Sequence, residues 1–161
     1  MLKYAETLVG FSEVPEEISL CVNISGCDIH CDGCHSPHLW NDIGKELTNE
    51  ELHNLLKYNK GITCVAFMGG DRDPDTIVNL AKWVKENTAL KVCWYSGKQY
   101  HLDINYSYFD YVKIGPYKKE KGGLNKEGTN QKFYKVLHKE ITGMSYIVLK
   151  DITYKFRCLN K

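Results

Sequence analysis

Short apolar runs separated by polar, glycine-bearing stretches set the pattern of the chain. Residues 18–25 (ISLCVNIS) are apolar and rich in β-branched side chains, which predicts a first strand. Residues 62–68 (ITCVAFM), 90–95 (LKVCWY) and 111–114 (YVKI) predict three more, and residues 146–149 a late one. Between them the apolar spacing becomes helical. Thr48 opens Thr48-Asn49-Glu50-Glu51, the pattern of a helix start in which a hydroxyl caps and a glutamate reaches back. Leu52, Leu55 and Leu56 then give one apolar stripe. Pro74 suits the first turn of a second helix, where its missing N–H is not needed, and Ile77, Leu80, Ala81 and Val84 line one face of it. Residues 130–138 read as a further helix, and the Lys- and Gly-rich residues 117–128 as a loop.

Strands alternating with helices predict a single α/β domain over residues 1–161 with a mainly parallel sheet. In such folds, sites gather at the carboxyl ends of the strands. Four motifs fall there. A cysteine-bearing loop follows the first strand, and Gly69-Gly70-Asp71 follows the second. Ser96-Gly97 follows the third, and Gly115-Pro116 the fourth. The strands follow from apolar pattern alone, so the coincidence supports one site on one edge of the sheet.

Composition changes this picture only at its limits. The 161 residues carry 21 basic and 20 acidic side chains, a net charge of +1, which argues against a generic nucleic-acid surface. No apolar run has the length of a membrane span. Seven cysteines, an odd number, with no secretory signal at the start of the sequence, predict reduced thiols and a cytoplasmic setting. Cys21, Cys64 and Cys93 sit in apolar runs and read as buried thiols.

The candidate chemistry lies in Cys27-Asp28-Ile29-His30-Cys31-Asp32-Gly33-Cys34, a C-x3-C-x2-C spacing. Cysteine thiolates hold cuboidal 4Fe–4S clusters. Three from one loop hold three irons and leave the fourth open to another ligand. The rival reading is structural zinc, with Cys27, Cys31, Cys34 and either His35 or His38 as a Cys3His set. No second ligand pair at finger spacing supports it.

The spacing resembles that of radical S-adenosylmethionine (SAM) enzymes. Ser25-Gly26-Cys27, Asp32-Gly33-Cys34, Trp40, Phe67-Met68-Gly69-Gly70-Asp71, Trp94-Tyr95-Ser96-Gly97 and Gly128-Thr129-Asn130-Gln131, in this order, resemble the activating proteins of anaerobic ribonucleoside-triphosphate reductase within that family. The chain departs from them at His35, where tyrosine is common, and at Ile114-Gly115, where Asp-Gly is usual. The resemblance implies a partial, open βα barrel. It implies a 4Fe–4S cluster on Cys27, Cys31 and Cys34, with SAM on the open iron. Gly33, Cys34, His35, Gly69, Gly70, Asp71 and Ser96 would contact SAM, with Asp71 pairing with its ammonium or ordering the turn. The implied reaction is reductive cleavage of SAM and transfer of a radical to a glycine on a large reductase partner. An electron donor such as flavodoxin or ferredoxin would feed it. Related readings are an activase of a pyruvate formate-lyase-like enzyme, a radical SAM enzyme acting on a small molecule, and a non-catalytic metal-binding module.

Overall fold

The computed structural model describes residues 1–99 and 103–158. Its elements run β1 (Lys3–Gly10), β2 (Ser19–Ile24), β3 (Lys45–Glu46), α1 (Asn49–Tyr58), β4 (Cys64–Met68), α2 (Pro74–Asn87), β5 (Lys91–Tyr95), β6 (Tyr111–Ile114), β7 (Lys132–Ile141), β8 (Met144–Asp151) and α3 (Lys155–Cys158). All eight strands join one sheet in the order β3-β1-β2-β4-β5-β6-β7-β8.

The centre of that sheet follows the expected logic. β2, β4, β5 and β6 are parallel neighbours, and α1 and α2 make the first two crossovers. Thr48 caps α1 by accepting from the Glu51 N–H at 3.1 Å. Glu51 directs its own carboxylate to Tyr4 and Lys45. Asp73 caps α2 from the residue before Pro74, accepting from the Thr76 N–H.

The flanks overturn the expectation of a mainly parallel sheet. β1–β2, β1–β3, β6–β7 and β7–β8 all pair antiparallel, so the sheet is mixed and open, with more antiparallel pairings than parallel. The physical reason is local. A parallel neighbour needs a long crossover, and no long helix follows β6. The chain instead returns through β7 and turns tightly at Thr142-Gly143, both at positive φ, into β8. The helix expected over residues 130–138 is therefore β7. Phe133 and Val136 are three residues apart, which looks helical, but they bury on opposite faces of a strand. β1, with its mixed KYAETLVG sequence, carries no clear period-2 signal and was not anticipated.

Two cores sit on the two faces. One packs Leu20, Val22, Val65, Phe67, Val92 and Trp94 beneath the apolar stripe of α2. The other uses Cys21, Cys64, Ala66 and Cys93 on the strands, covered by Val14, Leu124, Ile152 and Phe156. Small side chains on this second face let connecting segments approach the sheet closely. Burial pushes the Cys21 and Cys64 thiols up to about 12, which keeps them neutral and inert, as expected of core thiols.

Candidate functional site

The carboxyl ends of β2, β4, β5 and β6 share one edge of the sheet, and the four motifs meet there. Asp71, just beyond β4, is buried. Its carboxylate accepts from the Ser96 hydroxyl and, at 2.8 Å, from the Gly97 N–H, both beyond β5. Its backbone carbonyl accepts from Lys98 Nζ at 3.0 Å. Trp94 Nε1 donates to the Gly69 carbonyl at 2.8 Å. The ends of β4 and β5 are thus knitted into one unit, and Asp71 orders the turn that joins them. Gly70 sits at φ +90°, where a Cβ would lie 2.6 Å from the buried Ile77 side chain. Its lack of a side chain is a requirement of turn and core alike.

Lys113 near the end of β6 completes this floor. It is almost fully buried, and its Nζ donates to the Gly115 carbonyl at 2.6 Å and the Ser96 carbonyl at 3.3 Å. Burial pushes its pKa down to about 8. The charges of Cys31, Asp71 and Cys27 act on it in the opposite sense, which places those groups around the ammonium.

The cysteine loop lies across this edge. Its two ends are stitched together where Gly26 N–H meets the Asn41 carbonyl at 3.0 Å and Cys27 N–H meets the Leu39 carbonyl at 2.9 Å. Asp42 ties the stem to Lys3 and to Arg72, the residue after Gly69-Gly70-Asp71, at 3.2 and 2.9 Å. His30 stacks on Trp40, with ring centroids 4.7 Å apart. Ile29 packs on Gly97, where a Cβ would lie 2.9 Å from the Ile29 side chain. Gly33, at φ +71°, packs under the stem of Lys119 beyond β6, and His35 lies against Tyr117. The loop therefore touches the segments beyond β4, β5 and β6.

Cys27, Cys31 and Cys34 are all partly exposed on this loop, in contrast to the buried Cys21, Cys64 and Cys93. Burial raises the Cys27 thiol, and the Ile29 and His30 N–H groups pointed at its sulfur oppose that rise. Cys34 Sγ accepts from the Ser36 N–H at 3.4 Å. Among the described residues, no three His, Cys, Asp or Glu side chains converge into a set that could hold a metal ion. The zinc alternative gains nothing from its histidines. His38 faces Glu6 with Nε2 at 3.4 Å, and His35 faces Tyr117.

Comparison with known families gives one match. The family described as a 4Fe-4S single cluster domain matches residues 17–137, from the start of β2 through most of β7 and well over half of the chain. The chain belongs to the 4Fe-4S single cluster domain family. No curated protein and no solved structure matches it.

The donor chemistry of this 4Fe-4S single cluster domain suits such a cluster. Three thiols share one loop, backbone N–H groups point at two of the sulfurs, and a buried cation lies within electrostatic reach. N–H groups directed at sulfur and local charge are the means by which proteins tune such clusters. No helix among the described residues is long and apolar enough to cross a membrane.

Several site residues were not legible in advance. Lys113 reads in sequence as an ordinary solvent-facing lysine on a short strand. Arg72 belongs to no motif and Ile29 is an unspecified spacer of the cysteine motif, and only the fold shows that they anchor the cysteine loop. The late Gly128-Thr129-Asn130-Gln131 motif, which the sequence sets at the start of a helix, lies instead in the segment before β7. It pins the excursion that follows β6, through Asn130 Nδ2 to the Pro116 carbonyl at 2.9 Å and Thr129 Oγ1 to the Gly122 carbonyl at 3.1 Å.

Proposed function

We propose that the protein is a radical SAM activating enzyme that installs a glycyl radical on a large partner, the anaerobic ribonucleoside-triphosphate reductase. The observation that carries this reading is the cysteine loop lying across three strand ends, with Ile29 on Gly97, Gly33 under Lys119, and Asp42 tied to Arg72. Cys27, Cys31 and Cys34 would hold three irons of the 4Fe–4S cluster. When bound, that cluster supplies the electron for cleavage of SAM to methionine and a 5′-deoxyadenosyl radical.

The chain's own residues provide position and charge. Gly69 and Gly70 would leave the methionyl end of SAM free of an intervening side chain. Asp71 and Ser96 hold that turn rigid, so the turn-ordering role of Asp71 is preferred over direct pairing with the SAM ammonium. Gly33, Cys34 and His35 would run beside the adenine. Lys113 would offset the negative charge that three thiolates bring to the pocket floor. The parallel strands β2, β4, β5 and β6 would form the partial βα barrel of this enzyme class. An open side of the sheet would suit a macromolecular glycine loop. Reduced thiols fit a cytoplasmic setting.

The test supplies SAM and a strong reductant to the iron-loaded protein, then adds the reductase. The expected products are methionine and 5′-deoxyadenosine, with a doublet EPR signal on the reductase. Deuterium on its target glycine should pass into the deoxyadenosine. SAM cleavage without a radical on the reductase would defeat the activase reading. No cleavage by a loaded, reduced protein would defeat the radical SAM reading as well.

A further inference from the structure

The last strand of the sheet is left unprotected. β8 runs for eight residues along β7 without a break in register and without a proline, and among the described residues no strand pairs with its outer side. The other end of the sheet is handled differently. There β3 is only two charged residues, and β1 carries a register shift between Tyr4 and Glu6. Short, charged and bulged edges resist pairing, whereas a long regular edge presents a row of unpaired N–H and C=O groups. The β7–β8 ribbon is also apolar on its outside, with Ile141, Met144, Tyr146, Ile147 and Val148 all exposed. Contiguous apolar surface of this kind marks a site of association.

The ribbon fixes which backbone groups face out. Thr142 and Gly143, both at positive φ, form a two-residue turn, so Ile141 and Met144 close it as a hydrogen-bonded pair. Hydrogen-bonded and open pairs then alternate along the ladder. Met144, Tyr146, Val148 and Lys150 direct their N–H and C=O groups to β7. Ser145, Ile147, Leu149 and Asp151 direct theirs outward. The Ile152 N–H, which donates to the Phe133 carbonyl at 2.9 Å, agrees with that alternation. A strand added to this edge must bond to those four outward-facing residues.

We infer that β8 is a dimer interface, at which it pairs antiparallel with β8 of a second copy of this chain about a two-fold axis at Val148. The strand MSYIVLKD is complementary to itself in that register. Val148 faces Val148 of the second copy, and Ile147 faces Leu149 of the second copy. Tyr146 faces Lys150 of the second copy, which sets a cation beside an aromatic ring. Ser145 faces Asp151 of the second copy, a hydroxyl donor against a carboxylate. Cross-strand pairs of this kind stabilise a sheet. Sliding by two residues in either direction sets Lys150 against Met144 or Val148, and Asp151 against Gly143 or Ile147. Charge therefore selects the register. The contact is isologous and closes at two copies. Its axis is normal to the sheet, so the carboxyl ends of β6 in the two copies point in opposite directions. β6 lies two strands in from the edge, so the site of each copy stays open. The inference is independent of the proposed function.

The experiment is sedimentation equilibrium of the full chain. The wild type should be largely dimeric at about 100 μM and dissociate on dilution, as suits a small interface. Val148→Lys and Val148→Glu each put like charges face to face on the axis, in an open pair where side chains approach closely. Alone, each variant should dimerise at least about tenfold more weakly than wild type. An equimolar mixture of the two brings opposite charges together at the same place. Its heterodimer should return to within about threefold of the wild-type dissociation constant, a recovery that variants damaged in folding could not show. Leu8→Glu, at an exposed position of β1 towards the other end of the sheet, should dimerise as the wild type does. A wild type that stays monomeric at about 100 μM overturns the inference, and so does one that grows beyond two copies. Undiminished dimerisation by either Val148 variant, a mixture no tighter than its components, or equal weakening by Leu8→Glu each overturns it as well.

Discussion

Replacing Asp71 by alanine should destabilise the protein before any ligand is added. Asp71 is 3% exposed, and its two carboxylate oxygens accept from the Ser96 hydroxyl and the Gly97 N–H. Ser96 is itself fully buried, so alanine takes a charged acceptor away from two donors at the floor of the site. A hydrogen bond to a charged group contributes about 1.5–3 kcal/mol. Removing two of them, and relieving the desolvation of one carboxylate, should cost about 3 kcal/mol net. That is a large share of the roughly 5–15 kcal/mol that holds a domain folded. With a urea slope of about 2 kcal/mol per molar, the unfolding midpoint should fall by about 1.5 M. Asp71→Asn keeps one carbonyl acceptor and should lose about half as much. The assay is urea unfolding of cluster-free protein followed by far-ultraviolet circular dichroism. A midpoint within about 0.3 M of wild type for Asp71→Ala would refute the turn-ordering role and return Asp71 to the alternative of direct pairing with a SAM ammonium.

Three further outcomes follow from the same geometry. Gly70→Ala places a Cβ 2.6 Å from Ile77 at φ +90°, so it should lose about 2 kcal/mol or more of stability; thermal unfolding at the wild-type temperature would contradict the packing argument. For Glu17, burial pushes the pKa up, but hydrogen bonds from Lys91, Thr63 and Tyr111 outweigh it and hold the carboxyl below its usual range. A lowered carboxyl pKa stabilises the fold above the unfolded-state value and loses that contribution as pH falls through the folded-state one. The advantage of wild type over Glu17→Gln should therefore be full at neutral pH and shrink under acid below about pH 4.5, and a gap that widens there would reverse the assignment. Lys113→Met removes a buried cation near Cys27 and Cys31, so the midpoint of the loaded cluster in an EPR-monitored redox titration should become more negative; an unchanged midpoint would remove Lys113 from the site.

How much of this was readable in advance depends on burial. β2, β4, β5 and β6 are covered on both faces, so they appear as continuous apolar runs and were located within a few residues. β1 and β8 have largely solvated positions and weak patterns, and β1 carries no strand signal in the sequence. β7 reads as a helix in sequence because Phe133 and Val136, three residues apart, serve opposite faces. The site divides in the same way. Motifs at strand ends announce themselves through glycine, cysteine and a sudden loss of apolar residues, so Cys27, Gly69-Gly70-Asp71 and Ser96-Gly97 were placed on one edge. Contacts between those motifs are invisible in one dimension. Nothing in the string shows that Asp71 meets Ser96, that Ile29 fills the space over Gly97, or that Lys113 points inward beneath them.

Iron and sulfide analysis after anaerobic reconstitution decides whether Cys27, Cys31 and Cys34 hold a 4Fe–4S cluster. The wild type should contain about four irons and four sulfides per chain. Cys27→Ala, Cys31→Ala and Cys34→Ala should each lose the stable cluster, whereas Cys21→Ala, Cys64→Ala and Cys93→Ala, whose thiols are buried in the second core, should retain it. Stoichiometric zinc with no iron uptake, or full iron content in any of the three loop variants, would contradict the account.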